Sequence, residues 1–240
     1  MKTKYALVAV SLSLMTANVA ANEENSWYVG LSANSTDLDS IETQSTDQVA
    51  NVTRRIGIDT DDDTGFGITV GKTLFTQDNG NKLSVELNYH EASFDLEELR
   101  FMNNVFSTAD GRASGGTDVE TLQIRAKYEF NFGAFKPYVG VGFGQSDLEV
   151  EALYGMSVGS TFTSVPPFAD GSDSASSVEL RAGLEYQITD SFGGFIEYAQ
   201  TDVDDIQFSR RGGGPGGLAT TTQRGDFEYD SINVGINYKF

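Results

Sequence analysis

The last stretch of the chain, residues 228–240, alternates apolar and polar residues from residue 231 onwards. Its odd-numbered positions from Ser231 onwards are polar or small, and they include Asn233 and Lys239. A period of two predicts a β-strand with one apolar face and one wet face. The apolar positions of this strand are Ile232, Val234, Ile236, Tyr238 and Phe240.

The same alternation recurs in seven earlier stretches of the chain. They lie at residues 27–33, 66–74, 83–90, 121–130, 138–144, 178–187 and 192–199. No stretch after the N-terminal segment is apolar for long enough to form a transmembrane helix. The sequence therefore predicts an all-β fold built from eight antiparallel strands.

The connections between these strands alternate between long loops and short turns. Long mobile loops are predicted at residues 34–63, 97–117, 150–176 and 204–226. Short turns are predicted at residues 77–81, 131–134 and 189–190, and Asn79-Gly80 in the first of them is a strong hairpin signal. Outer-membrane barrels separate short periplasmic turns from long extracellular loops in this way. The pattern predicts an eight-stranded antiparallel up-and-down transmembrane β-barrel.

The polar faces of the predicted strands carry charged side chains that a compact soluble core would not tolerate, because burying an unpaired charge is very costly. The bore of a barrel tolerates charges that pair with one another, and eight strands enclose enough room for side chains to fill. We therefore predict a charge network inside the barrel, with the apolar faces outward. Its members are Glu86, Arg125, Lys127, Glu129, Glu179, Arg181, Glu185, Glu197 and Lys239.

The reverse arrangement, with apolar side chains inside, would be a soluble lipocalin-like barrel, and it remains the structural alternative. Three features favour the membrane version. Each strand has about 9 to 11 usable residues, the length that crosses a bilayer when tilted. Gly140, Gly142 and Gly144 leave room inside for large partners such as arginine. Aromatic residues also gather near the end with the short turns, as an interfacial girdle predicts: Trp27, Phe75, Phe130, Phe132, Phe192, Tyr238 and Phe240.

The first residues predict an export signal. Lys2 and Lys4 precede a short apolar run, and the small residues before Asn22 predict cleavage after Ala21. Residues 1–21 would then be a signal peptide and residues 22–240 the barrel domain. Without Lys2 and Lys4 the chain keeps 16 − 2 = 14 basic residues against 35 acidic ones, a formal charge of −21. So acidic a chain disfavours nucleic-acid binding, and the absence of cysteine excludes disulfides and thiolate metal sites.

The signal peptide, the eight alternating strands and the terminal Tyr238-Lys239-Phe240 resemble the OmpA/OmpX-type small outer-membrane barrels. The resemblance covers the whole mature chain. It implies that the terminal aromatic strand, with Tyr238 and Phe240, is recognised by the barrel-assembly machinery. The chain ends at the barrel, so the resemblance does not imply a peptidoglycan-binding domain. Such a fold hosts several functions.

Candidate chemistry is sparse. His90 is the single histidine, and Ser93 falls on the opposite face of the same strand, which disfavours a serine–histidine hydrolase. The acidic run at residues 59–65 departs from a calcium-binding loop, since Thr64 stands where glycine is needed and Val70 where glutamate is needed. No cofactor or metal site is predicted.

Two loop features remain candidates for surface contacts. Arg210, Arg211 and Arg224 could contact lipopolysaccharide phosphates, or they are ordinary surface arginines. The aromatic residues of the third long loop could form a partner-binding patch, or they pack the loop down.

The sequence thus predicts a non-enzymatic, monomeric protein in the outer membrane of a Gram-negative bacterium. Its expected partners are outer-membrane lipid, lipopolysaccharide, the barrel-assembly machinery and a host or surface ligand. Its expected role is structural support or surface interaction through four long extracellular loops. A narrow porin-like channel and a lipid-modifying barrel enzyme are the functional alternatives.

Overall fold

The computed structural model describes the backbone of residues 26–38, 41–47, 52–60, 63–101, 110–158, 161–214 and 217–240. Side chains are described over residues 26–37, 64–94, 116–149, 172–204, 206–207 and 225–240. The described chain forms one antiparallel sheet of ten strands. They are β1 (Trp27–Leu38), β2 (Ile41–Asp47), β3 (Val52–Thr60), β4 (Asp63–Thr76), β5 (Lys82–Phe101), β6 (Asp110–Glu129), β7 (Phe135–Val158), β8 (Thr161–Gln187), β9 (Phe192–Gly214) and β10 (Gly217–Lys239).

Eight of these strands close into a barrel, as predicted. Going around the wall, the order is β1, β4, β5, β6, β7, β8, β9 and β10, and β10 pairs again with β1. Closure leaves no sheet edge unpaired, which a wall surrounded by lipid requires. Within the described part of the chain, no helix is long and apolar enough to cross a membrane.

The three short turns lie where they were predicted. In the first, Gly80 has φ of +83°, a left-handed conformation that glycine adopts readily, and its N–H donates to the Gln77 carbonyl over 2.8 Å. In the second, Gly133 has φ of +75°. All three turns lie at one end of the barrel, which we call the turn end. The opposite end, called the hairpin end, carries the long connections.

The prediction of long loops was wrong in one respect, because the chain remains β-structure far into those connections. Residues 34–63 contain β2 and β3, which pair with each other and extend the wall between β10 and β5. Their sequences show no sustained apolar alternation, so the pattern did not indicate them. Backbone pairing with neighbouring strands holds β2 and β3 in the wall. The other three connections are continuations of β5–β6, β7–β8 and β9–β10 as paired hairpins.

The aliphatic side chains point away from the barrel axis, which excludes the lipocalin-like alternative. They form an outward belt in which Ile124 is 64 % exposed and Leu180 58 %. Aromatic side chains border the belt at the turn end, among them Phe75, Phe132 and Phe192. At the turn end Lys72 lies over the Trp27 ring, with 5.4 Å from Nζ to the ring centroid. The belt has the alternation and aromatic borders of a membrane-spanning barrel.

At the hairpin end the outward side chains change abruptly from apolar to acidic. Beyond Phe66, Phe143 and Tyr198, the same faces of the strands carry carboxylates. This change marks the upper boundary of the belt, since charged side chains on the lipid face are costly. The outward carboxylates are Asp37, Glu91, Asp118, Glu120, Asp147, Glu149, Asp202, Asp204, Asp226, Glu228 and Asp230.

Candidate functional site in the barrel interior

All nine side chains of the expected charge network lie on the inner face of the barrel. Eight of them belong to residues that are buried, and the Lys239 side chain is 19 % exposed at the turn end. They come from β5, β6, β8, β9 and β10, so strands on opposite sides of the wall supply them. Because each strand alternates inward and outward residues, the polar positions of every strand reach the bore together. The pairs fall into two clusters along the axis.

The first cluster surrounds the Arg181 guanidinium near the middle of the bore. Arg181 forms a short ion pair with Glu86 and a second ion pair with Glu197 at 3.0 Å. Each of these carboxylates also accepts a hydrogen bond from a tyrosine. Tyr28 donates its hydroxyl hydrogen to Glu86, and Tyr138 donates to Glu197 over 2.9 Å. Low polarity in the bore strengthens such paired contacts and makes unpaired ones costly.

Arg125 is the second guanidinium of this cluster. It forms a short ion pair with Glu179, approaches Glu197 at 3.9 Å and donates from Nε to Gln123 over 3.3 Å. Glu197 therefore lies between Arg125 and Arg181 and connects them. Removing either guanidinium would leave a buried carboxylate without its main partner.

The second cluster lies closer to the turn end and surrounds Glu185, whose side chain is 1 % exposed. Lys127 and Lys239 pair with its two oxygens at 3.1 and 2.5 Å, and Asn237 donates to it over 3.0 Å. Lys127 also lies 3.4 Å from Glu129. The Tyr138 ring connects the two clusters, because the Lys127 ammonium lies 4.2 Å from the centre of that ring.

Lys136 is a buried member of the second cluster that sequence reasoning missed. Its ammonium lies 3.7 Å from Glu129. Lys136 precedes the apolar alternation of its strand, but it has the same even parity as Tyr138 and Gly140, which face inward. Extending the alternation of this strand backwards from Tyr138 would have assigned Lys136 to the inner face. With Lys136 the network contains five carboxylates and five bases.

Glycines make room for the two guanidinium groups. A Cβ atom on Gly140 would lie 2.6 Å from Nε of Arg181, and one on Gly142 would lie 3.2 Å from Cγ of Arg125. Real Cβ atoms essentially never approach other atoms as closely as the first distance. The glycines on the inner face of β7 thus supply the space that the sequence predicted for large partners.

Uncharged polar side chains fill the bore between the charge network and the hairpin end. Thr121 lies within hydrogen-bond distance of Ser146 at 2.8 Å and of the Tyr229 hydroxyl at 3.1 Å, so it joins β6, β7 and β10 across the interior. Gln123 donates to Ser177 over 3.2 Å. These contacts satisfy polar groups that are almost fully buried.

An apolar layer follows at the hairpin end of the bore, and sequence reasoning missed it. All members except Ile206 share the inward parity of the polar residues below them, so extending the alternation beyond the belt would have found most of the layer. Ile206 follows an irregularity in the pairing of β9 with β10, which changes its parity. Burial of these side chains removes their apolar surface from water. They are Phe94, Val119, Leu148, Ala175, Val203, Ile206 and Phe227, each at most 7 % exposed.

His90 is inward-facing and 7 % exposed, and its ring lies 6.0 Å from the Tyr229 ring. Its Nε2 atom has no hydrogen-bond partner among the described residues, and the same is true of Asn88 Oδ1. Both residues line a polar cavity of about 20 Å³ in the bore, large enough for a water molecule. No serine hydroxyl is found within hydrogen-bond distance of the imidazole in the described structure, so the geometry does not form a nucleophile–base pair.

The remaining candidate residues lie at the two ends. Tyr238 and Phe240 are half-buried at the turn end, with ring centroids 5.0 Å apart. Arg210 and Arg211 lie on β9 and pair in register with Thr221 and Thr220, but their side chains are outside the described residues. The Arg224 backbone pairs with Gln207 and Gln44, and its side chain is likewise outside them.

Other candidates fall wholly or partly outside the described structure. The signal peptide at residues 1–21 lies outside the described residues. The side chains of the third-loop aromatics and of most of the acidic run at 59–65 also lie outside them. Among the described residues, no group of three or more His, Cys, Asp or Glu side chains is arranged to hold a metal ion.

Comparison with known proteins places the chain among outer-membrane β-barrel proteins. The family model "Outer membrane protein beta-barrel domain" matches residues 6–240. A search of curated proteins finds no match.

Solved structures with a similar backbone are outer-membrane or surface proteins. The outer membrane protease OmpT from Escherichia coli is 8 % identical, with a TM-score of 0.54 over 93 % of this chain and 99 % of that one. Neisserial surface protein A is 12 % identical, with a TM-score of 0.45 over 89 % and 97 %. The attachment invasion locus protein Ail of Yersinia pestis is 11 % identical, with a TM-score of 0.43 over 90 % and 99 %.

Proposed function

This chain belongs to the family of outer membrane protein β-barrel domains, and from that premise we propose that it acts at the cell surface by non-enzymatic contacts of its hairpins. The protein resides in the cell outer membrane. In such barrels the short turns face the periplasm and the long connections face outward. The hairpin end is therefore the extracellular end.

The length of the paired hairpins beyond the belt supports this proposal. On β8 the outward belt begins at Val178, yet the strand begins at Thr161 and pairs with β7 from Val158 downwards. The part of β8 before the belt measures roughly 50 Å along the strand at about 3.3 Å per residue. A barrel that only spanned the membrane would not need it. Such hairpins present a large surface outside the membrane, the place where binding residues are concentrated.

The interior supports a closed scaffold over a channel or an enzyme. Ion pairs, hydrogen bonds and the apolar layer fill most of the bore between its two ends, and a bore of eight strands is narrow enough for side chains to fill. His90 is buried inside, away from lipid, and its Nε2 atom has no hydrogen-bond partner among the described residues. These features favour a structural or surface-interaction role.

Arg210, Arg211 and Arg224 are the residues that we propose for contact with lipopolysaccharide phosphates. Arginine binds phosphate with a planar fork of donors, and all three lie on the β9–β10 hairpin at the hairpin end. The outward band at the upper edge of the belt is acidic, so phosphate contact requires basic residues elsewhere.

We expect the triple variant Arg210→Gln, Arg211→Gln and Arg224→Gln to bind lipopolysaccharide aggregates about tenfold more weakly, since three charge-assisted contacts are lost. Cosedimentation of the folded protein with lipopolysaccharide measures this. The control is Lys72→Gln, which removes a positive charge from the outer face near the turn end, outside the charge network, and should leave cosedimentation unchanged. Equal binding by the arginine variant and the parent would contradict the assignment.

We also infer that Tyr238 and Phe240 are read by the barrel-assembly machinery. Both lie on or next to the last strand, and the Tyr238 ring contacts Phe192 at 4.8 Å between centroids. We expect Phe240→Ala to lower the amount of heat-modifiable barrel in outer-membrane fractions severalfold. The free energy of unfolding of the purified, refolded variant should stay within about 1 kcal/mol of the parent's value. Leu74→Ala, another exposed apolar change at the turn end, serves as the control. Normal membrane levels of the Phe240 variant would refute the inference.

A further inference from the structure

Three lysines face one another across the turn end of the bore. Lys82 is at the start of β5, Lys136 at the start of β7 and Lys239 at the end of β10. Around the eight-stranded wall these strands are separated by two, three and three steps. The three ammonium groups therefore surround the opening almost evenly.

All three lysines line a cavity of about 340 Å³ at this opening. Small-molecule sites in proteins measure about 300 to 1,000 Å³, so the cavity can admit a small solute. Asn131 and Gln187 add amide groups to its wall, and Asp190, which is exposed at the rim, is the acidic side chain that lines it among the described residues. The cavity opens on the side where the short turns lie.

The charges at this end do not balance. Glu129 and Glu185 lie deeper and already pair with Lys127 as well as with Lys136 and Lys239. Counting Lys82 and Asp190 at the rim, three side-chain carboxylates thus face four ammonium groups. Lys82 itself forms no ion pair with any described residue. The excess positive charge lies at the entrance, where a partner of opposite charge can reach it.

We propose that this opening, the lysine mouth, is a binding site for a small soluble oxyanion that carries two or more negative charges and enters from the periplasm. Ammonium groups bind phosphate and carboxylate oxygens as point charges with strong hydrogen bonds. A concave opening with low-dielectric walls focuses the field of its charges and raises the local anion concentration. The site does not depend on the hairpins at the other end.

Titration of the refolded barrel in a neutral maltoside detergent tests the proposal, with pyrophosphate and citrate as separate probes at low ionic strength. We expect saturable binding of at least one probe by calorimetry, and the tighter of the two identifies phosphate or carboxylate as the preferred group. Lys82→Gln should weaken that binding about tenfold. Because Lys82 forms no ion pair with the part of the chain that the structure describes, this variant should keep the parent's stability.

Lys72→Gln is the matched control, since it removes the same charge from the outer face near the same end and should leave binding unchanged. Acetylation of lysines read by mass spectrometry locates the site: the bound probe should protect Lys82 and leave Lys72 reactive. Absence of saturable binding for both probes would overturn the proposal. So would equal weakening by the Lys72 and Lys82 variants, which would indicate a general charge effect.

Discussion

Replacing Arg181 with methionine is expected to lower the free energy of unfolding by about 3 to 5 kcal/mol, the cost of removing one partner from a buried ion pair. Glu86 and Glu197 would each lose their principal cation, although Tyr28 and Tyr138 would still donate to them. Urea unfolding of the barrel in lipid vesicles measures the loss. The fluorescence of Trp27, the single tryptophan, reports on the outer face of the wall.

A compensating variant distinguishes lost pairing from lost packing. Arg181→Met combined with Glu86→Gln also removes the carboxylate charge that would otherwise be buried without its cation. The double variant should regain a large part of the lost stability, because an apolar or neutral replacement of a buried pair is often tolerated. Lys72→Met serves as the control for loss of a positive charge and should change stability by less than about 1 kcal/mol. If Arg181→Met unfolds at the same urea concentration as Lys72→Met, the charge network does not stabilise the barrel.

The alternation of the eight strands predicted the wall and the direction of its side chains correctly, because one face of each strand meets lipid and the other meets the bore. Arg125 and Arg181 were assigned to the interior from parity alone, and both lie there. The parity argument was not extended to Lys136 and Phe94, because each lies beyond the apolar belt, where outward residues are no longer apolar. Those residues became visible only when the backbone showed how far the strands run.

The β2–β3 hairpin could not be predicted in the same way. Neither strand shows a sustained apolar alternation, and the strands that flank them, β5 and β10, are separated from each other by residues 102–216. Pairing with distant neighbours stabilised a conformation that local sequence does not favour. The pairs within the charge network were also beyond the sequence, since Glu86 meets Arg181 only because β5 and β8 lie on opposite sides of a closed wall.

Replacing Ile124 with arginine in the outward belt is expected to lower the free energy of unfolding by about 2 to 4 kcal/mol, the cost of an arginine on the lipid face near the middle of the bilayer. Ile124 is 64 % exposed and lies between Leu87 and Phe143 on the neighbouring strands, so the charge would have apolar neighbours and lipid around it. Urea unfolding in lipid vesicles measures the effect.

The same arginine at the turn end provides the matched control for the depth of the belt. Phe132 is 70 % exposed in a short turn, and Phe132→Arg should cost only about 0 to 1 kcal/mol because arginine near the interface reaches the headgroups. In a maltoside micelle the difference between the two variants should shrink, since detergent adapts to a charge more readily than a bilayer does. If both variants lost the same stability in vesicles, residue 124 would not face the membrane interior, and the position assigned to the belt would be wrong.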